Sequence, residues 1–184
     1  MLQKINKKID EIKATLENKK TAEPTQIPEE ETSNTSSLIK QIIASSIESK
    51  ITYVPNYEMD NKLFEDRKGF MEWPIDNADF KKTTENGAVE LIGSNELVKS
   101  ISQGKVIYAK KLPEGTYTIV ILHDNDYYSV YANLASSLVG YGEQVNYQQI
   151  LGSLKPKEDQ RFLLEFQIWK KTNILNPSRW LKNG

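Results

Sequence analysis

The sequence contains no cysteine and only one histidine, His123, and both shortages restrict the chemistry open to it. Without cysteine there is no disulfide, no thiolate metal site and no cysteine nucleophile. A single histidine excludes every mechanism that needs two imidazole groups. We expect His123 to have a structural role at the end of a strand rather than a role in chemistry.

Long apolar runs and an excess of one charge are absent as well. No apolar run approaches the ~20 residues of a transmembrane helix, and the N-terminus lacks the apolar core of a signal peptide. Such an N-terminus is typical of a cytoplasmic protein, or of a chain that has lost a leader. The formal net charge is −1 over 184 residues, which gives no indication of binding to nucleic acid or to an anionic membrane.

The N-terminal part of the chain predicts two helices joined by a linker. Residues 1–20 carry apolar side chains at alternating spacings of three and four, which is typical of a short coiled coil; an amphipathic helix lying on its own domain is the alternative. Residues 21–37 are polar and contain two prolines, which predicts a flexible linker. Residues 38–57 are predicted to be an amphipathic helix, over 38–51, and a connector, with Ser36 or Ser37 as the N-cap.

Residues 58–184 are predicted to form one β domain. Short alternating runs separated by turn residues are typical of strands, and they cover residues 88–92, 104–109, 117–123, 127–132, 149–154 and 161–169. Since no helical pattern lies between them, the sheet should be antiparallel, as a sandwich or a half-open barrel. The expected fold class is therefore mainly β with N-terminal helices.

Five motifs in this domain resemble the LytM (M23-type) peptidase domain of cell-wall hydrolases, in the same order along the chain. The resemblance covers residues 68–182 and places Trp73-Pro74 as an aromatic anchor before the first strands. The motifs are Trp73-Pro74, Gly104-Lys105-Val106, residues 121–134, residues 139–152, and residues 164–181 with Asn176-Pro177 and Trp180-Leu181.

The resemblance also indicates where the zinc site of that family would lie, and this chain differs there. The family binds zinc through a His-x-x-x-Asp pair and the second histidine of His-x-His, and further histidines activate water. Asn86 and Glu90 stand at the first pair, and Asn133 replaces a catalytic histidine. Leu163 and Glu165 replace the His-x-His. Zinc needs about four donors, and only a bound metal lowers the pKa of water toward ~7, so we expect a non-catalytic member without a cofactor.

A domain that has lost its metal still keeps a groove in which a partner can bind. The candidate partner-binding residues are Glu90, Tyr131, Asn133, Glu165 and Trp169. Packing inside the sheet is the alternative for Tyr131 and Trp169. A hard-cation site, with residual metallopeptidase activity, is the alternative for Glu90 and Glu165.

Together, the coiled coil, linker, helix and degenerate LytM domain resemble EnvC-type murein hydrolase activators, particularly their Bacteroidetes members. The resemblance implies a protein of the periplasm or cell envelope that activates a zinc-dependent N-acetylmuramoyl-L-alanine amidase during cell division. It implies an FtsX-type membrane protein as a partner of the coiled coil. It also implies that helix 38–51 docks near the groove and competes with the amidase, with packing on the sheet flank as the alternative. A structural scaffold that binds another envelope protein, and a passive peptidoglycan-binding module, are the competing functions.

Overall fold

A computed structural model describes residues 35–54, 62–84 and 87–182 of the chain. The predicted coiled coil at residues 1–20 lies outside the described residues, as does residue Asn86. Most of the predicted linker, residues 21–34, lies outside them too.

The described chain forms a ten-stranded sheet in which all strand pairs are antiparallel. The strands are β1 Asp79–Thr83, β2 Val89–Gly93, β3 Leu97–Lys99, β4 Gly104–Lys111, β5 Tyr117–Leu122, β6 Tyr127–Ser137, β7 Gln144–Val145, β8 Ile150–Leu154, β9 Phe162–Lys170 and β10 Asn173–Leu175. The main order is β1-β2-β9-β6-β5-β4-β7, while β8 joins β6 to β3, and β10 pairs with β9. The predicted antiparallel β domain is therefore confirmed.

The six predicted runs correspond to β2, β4, β5, β6, β8 and β9, whereas β1, β3, β7 and β10 were not predicted. Strands β3, β7 and β10 have three residues or fewer, which is too short to show a period of two. Strand β1 has five residues, but it contains Lys81 and Lys82 in sequence and so lacks an apolar alternation. These strands form because a neighbouring strand offers its free edge for pairing, which a single sequence does not reveal.

Alternation along the strands divides the apolar side chains between two cores. In β9, Leu164, Phe166 and Ile168 belong to the main core, where each is fully buried. The chain that precedes β1 seals this core with Met71 and Ile75. Trp73 is partly buried against the same core, and its indole Nε1 donates to the Lys182 carbonyl at 3.0 Å.

The helix before the sheet, α1, spans Thr35–Glu48, so it begins and ends three residues earlier than predicted. Ser36 and Ser37 therefore lie within the first helical turn, whose backbone N–H groups have no intrahelical acceptor. Since an N-cap precedes the first helical residue, neither serine is the N-cap. Two residues after the helix end, Lys50 adopts a left-handed conformation with φ 50°, and the amide of Ile51 donates to the Ser46 carbonyl. This pattern is typical of helix C-termini. Ile51 lies after the helix but packs against the apolar side chains under α1, which form the second core. Its spacing from the apolar residues of the helix therefore led to a predicted end at residue 51.

Helix α1 covers part of the second face of the sheet. Ile39 and Ile43 are fully buried against side chains of β4, β5, β6 and β9, which are Ile107, Val120, Leu122, Tyr128, Val130 and Trp169. The Ser46 hydroxyl also lies 3.3 Å from the Tyr128 hydroxyl. No helix in the described part of the chain is long and apolar enough to cross a membrane.

Candidate functional site

The predicted site lies on the second face of the sheet, beside the area that α1 covers. Along β9, Glu165 and Trp169 are separated by an even number of residues and therefore project to the same side. Trp169 packs under α1, whereas its neighbours Leu164 and Phe166 point into the main core. In β2, Glu90 lies between Val89 and Leu91 of the main core and therefore faces the same way as Glu165. We call this uncovered part of the second face the groove.

Glu90 and Glu165 are directly opposite each other in the register of β2 and β9. Only 13% of the Glu90 side chain is exposed, and its carboxylate lies 3.4 Å from the Lys82 ammonium on β1. Lys82 is itself the partner of Glu90 in the register of β1 and β2. The Lys82 ammonium thus lies beside two carboxylates that repel each other.

The environment of Glu165 disfavours its charged form. Burial raises the pKa of the Glu165 carboxyl, and the negative charges of Glu90 and Glu114 raise it further, while Lys82 acts in the opposite direction. Glu114 belongs to the turn between β4 and β5, so that turn also faces the groove. The groove is therefore negatively charged at its middle.

Asn133 and Leu163 lie next to these carboxylates, on β6 and β9. Asn133 adopts φ 70°, a left-handed conformation that asparagine tolerates better than most residues. Its Nδ2 donates to the Leu163 carbonyl at 2.9 Å. Leu163 is half-buried and pairs with Ile92 of β2. The amide of Asn133 therefore joins two strands, and the Leu163 side chain supplies only an apolar surface.

Tyr131 and Trp169, the other two predicted groove residues, are fully buried. Tyr131 belongs to the main core, on the opposite face from Glu165, and its hydroxyl accepts the amide of Ile101 at 3.0 Å. Trp169 lies under α1, and its Nε1 donates to Gln167 Oε1 at 2.8 Å. Both side chains pack inside the protein, as the alternative interpretation expected.

His123 is 1% exposed and follows β5 directly. Its Nδ1 lies 2.7 Å from the Gln103 carbonyl oxygen, which can only accept, so Nδ1 carries the proton. Nε2 then accepts from the Ser129 hydroxyl at 2.7 Å. Burial lowers the pKa of His123 to about 4, so the ring is neutral at pH 7. These contacts give His123 the structural position at a strand end that we expected.

One end of the groove opens into a cavity of about 370 Å³ that the sequence did not predict. Its wall is made by the β4–β5 turn, by β6, and by the loop between β8 and β9. The lining residues are Gly115, Thr116, Asn133, Ala135, Lys155, Pro156 and Lys157. The pattern Lys-Pro-Lys between two predicted strands was the available signal, but nothing in the sequence placed it beside Asn133.

The residues of the groove do not fit the zinc ion that the resemblance implies. Glu90 is paired with Lys82, Asn133 uses its Nδ2 on a carbonyl group, and Leu163 has no donor atom. Among the described residues, no three His, Cys, Asp or Glu side chains come together in a way that would hold a metal ion. The single histidine of the sequence, His123, is buried, and both of its ring nitrogens are hydrogen-bonded within the protein. We therefore derive no catalytic step through zinc.

Residues 84–177 match the model of peptidase family M23. This span is more than half of the 184 residues, and it contains both carboxylates of the groove and the whole of β9.

Two curated relatives are similar over part of the chain. An uncharacterized protein of Neisseria meningitidis serogroup B is 35% identical over 85 residues, which cover 46% of this chain and 14% of that protein. The murein hydrolase activator NlpD of Salmonella dublin is 27% identical over 115 residues, covering 59% of this chain and 30% of NlpD. The chain therefore spans less than a third of the length of either relative.

Solved structures share the fold at low sequence identity. A putative M23 peptidase from Pseudomonas aeruginosa has a TM-score of 0.57 at 14% identity, covering 82% of this chain and 63% of that one. A chain of the SpoIIQ–SpoIIIAH pore-forming complex has a TM-score of 0.52 at 20% identity, covering 61% of this chain and 90% of that one. With the family model matched over more than half of its residues, the chain belongs to peptidase family M23.

Proposed function

We propose that this protein is a non-catalytic murein hydrolase activator whose groove binds and activates a peptidoglycan N-acetylmuramoyl-L-alanine amidase during cell division. The observation that carries the proposal is the groove itself, which keeps the M23 fold but holds Glu90, Asn133, Leu163 and Glu165 instead of imidazole groups. The similarity to the murein hydrolase activator NlpD supports the same function. The proposal includes the cell envelope as the protein's location, because a murein hydrolase acts there.

The partner-binding surface in this proposal consists of Glu90, Asn133, Leu163 and Glu165. Glu165 and Leu163 are half-buried and follow each other on one side of β9, so they offer a charged and an apolar contact side by side. Tyr131 and Trp169 act in the proposal as supports, since both are fully buried. Desolvated groups at the centre of such a patch contribute most of the affinity in protein interfaces.

Helix α1 is proposed to compete with the amidase for the groove. It packs on the same face of the sheet as Glu165, against Trp169 on the same strand. A partner that covers Glu165 and extends along β9 toward Trp169 would meet α1. Competition requires α1 to have different contacts in the free and bound states, and displacing it exposes the second core to the incoming segment.

The remaining partner stays a prediction. The proposed coiled coil at residues 1–20, and its link to an FtsX-type membrane protein, lie outside the described residues. Pairing of the full chain with that membrane protein is tested separately, by co-purification with and without residues 1–20.

The experiment that tests the function is dye release from labelled sacculi by this protein, by a zinc-dependent amidase of the same organism, and by the mixture. We expect release above the level of the amidase alone only in the mixture. Release by this protein alone would contradict the non-catalytic assignment. Metal analysis of that preparation would then show whether zinc is present in stoichiometric amount.

A scaffold that binds another envelope protein is the alternative function, and turnover separates it from an activator. A scaffold would bind the amidase, or another envelope protein, without changing the initial rate of dye release. Binding measured by calorimetry together with an unchanged rate would replace the activator proposal with the scaffold. Retention on sacculi without any protein partner would indicate a passive peptidoglycan-binding module.

A further inference from the structure

The cavity at the end of the groove has a charge opposite to that of the groove's middle. Lys155 and Lys157 line it on one side, and Thr116 and Asn133 line it on the other. No acidic side chain is among its lining residues. Lys155 and Lys157 are two positions apart around Pro156, which forms a bridge with Phe162 at the base of the loop, so extended backbone directs both side chains the same way.

The acidic residues of the cavity's own loop, Glu158 and Asp159, form no salt bridge with Lys155 or Lys157 in the part of the chain that the structure describes. Asp159 lies close enough to Lys157 to be affected by its charge, but its carboxylate is bound by Arg161, with Nε and Oδ2 2.9 Å apart. Within the residues that the structure describes, neither Lys155 nor Lys157 forms a salt bridge. Both ammonium groups are therefore available to an anion from outside.

The cavity is continuous with the groove through Asn133. Asn133 lines the cavity and also donates to the carbonyl of Leu163, two residues from Glu165 on β9. A segment that runs along β9 over Leu163 therefore reaches the cavity from the site of the two carboxylates. Glu90, Glu114 and Glu165 repel an acidic segment at that site, so the part of a bound segment that lies there should be neutral or basic.

We infer that the Lys155–Lys157 cavity receives an acidic side chain of the amidase segment that occupies the groove. The inference rests on the proposed function and specifies its partner chemistry. The occupant has an aspartate or glutamate at the cavity and a neutral or basic stretch over Glu90 and Glu165. A volume of about 370 Å³ accommodates one such side chain and a few waters, and paired lysines recognise a carboxylate as point charges rather than through a fixed fork.

The test compares Lys155→Glu/Lys157→Glu with a control of equal charge change, Lys68→Glu/Lys171→Glu, at two exposed lysines that lie outside α1 and do not line the cavity. Calorimetry measures binding of each full-length variant to the amidase at low and at physiological salt. We expect the cavity variant to bind at least about tenfold more weakly and the control to bind like the wild type within about threefold. Urea unfolding confirms that both variants are folded.

Cross-linking identifies the other half of the contact. A zero-length carbodiimide reagent joins a lysine ammonium to a carboxylate only when the two are in contact. We expect cross-links from Lys155 or Lys157 to one acidic residue of the amidase, and exchange of that residue for lysine should restore binding to the Lys155→Glu/Lys157→Glu variant.

The outcomes separate the cavity from the groove. If the wild type binds the amidase and the cavity variant binds equally well, the inference is wrong while the proposed function stands. If the wild type does not bind the amidase at all, the proposed function fails and the inference fails with it. Loss of retention on sacculi, with amidase binding unchanged, would mean that the carboxylate belongs to peptidoglycan and would also overturn the inference.

Discussion

Glu90 and Glu165 face each other across β2 and β9, and the Lys82 ammonium lies 3.4 Å from the Glu90 carboxylate. Like charges directly opposite on neighbouring strands destabilise a sheet, and the main chain here fixes their separation. The folded domain thus keeps an unfavourable contact at the centre of its groove. A partner that brings a positive or neutral polar group to this point relieves it, which favours a binding role for the pair.

Glu165→Gln is expected to raise the free energy of unfolding at pH 7 by a few tenths of a kcal/mol, at most about 1 kcal/mol, because solvent screens the repulsion between two carboxylates that are only partly buried. The pKa of Glu165 is raised in the folded state, so the folded protein binds this proton more tightly than the unfolded chain. The contribution of Glu165 to stability is therefore greatest at low pH and is lost as the pH rises above its unfolded pKa of about 4.5. Urea unfolding at pH 4 and at pH 7 measures the difference. Glu158→Gln, in the exposed β8–β9 loop, is the control, and an equal gain there would show that net charge alone is responsible.

His123 should remain neutral well below its ordinary range of pH. The pKa of His123 is about 4 in the folded protein and 6.5 for the free side chain. The stability that the neutral ring contributes is therefore complete above pH 6.5 and is lost as the pH falls toward 4. Between pH 7 and pH 5 this loss is about 2 kcal/mol. Urea unfolding of wild type and His123→Gln at both pH values isolates it, since the variant keeps every other titrating group.

The same histidine allows a direct measurement of its pKa. Because the chain has a single histidine, one imidazole signal in a proton NMR titration reports on it without assignment. We expect no change of chemical shift between pH 8 and pH 5.5. A midpoint near 6.5 in the folded protein would contradict the hydrogen bonds to Gln103 and Ser129.

Helix α1 offers a matched pair of substitutions for its packing on the sheet. Ile43 is fully buried and Ile47, one turn later, is 41% exposed. Ile43→Ala should cost about 2–4 kcal/mol if α1 unfolds together with the sheet, whereas Ile47→Ala should cost less than about 1 kcal/mol. If Ile43→Ala costs little in global unfolding but raises amide exchange within α1 alone, the helix detaches as a separate unit, as competition with a partner requires.

Sequence patterns predicted the long strands well, because six runs with a period of two lie where the strands with large apolar faces lie. They did not predict β3 and β7, whose pairing depends on edges supplied by distant segments. They also missed β1 and β10, which pair with the neighbouring strands β2 and β9 but show no apolar alternation of their own. For the site, Glu90, Asn133, Leu163 and Glu165, which the resemblance to known motifs singled out, lie in one region of the structure. The resemblance could not tell which face each residue takes, so Tyr131 was included although it points into the main core. The cavity lysines were missed because a loop contributes them, and loop positions have no periodicity.

Gly152 tests how β8 is held against β6. A β-carbon at this position would lie 2.1 Å from the carbonyl oxygen of Ser136 and 3.0 Å from the Leu134 side chain. Backbone atoms on a paired strand cannot move aside without breaking the ladder between β6 and β8. Gly152→Ala is therefore expected to destabilise the domain by about 3 kcal/mol or more, or to abolish soluble expression.

Gly140→Ala is the control for this substitution, because a β-carbon there meets no atom within 4 Å. Its free energy of unfolding should change by less than about 0.5 kcal/mol. Urea unfolding and soluble yield are measured for both variants in parallel. A tolerated Gly152→Ala would mean that β8 is able to shift along β6. Since Lys155 follows β8 directly, such a shift would also change the shape of the cavity, and amidase binding by Gly152→Ala would then report on that shape.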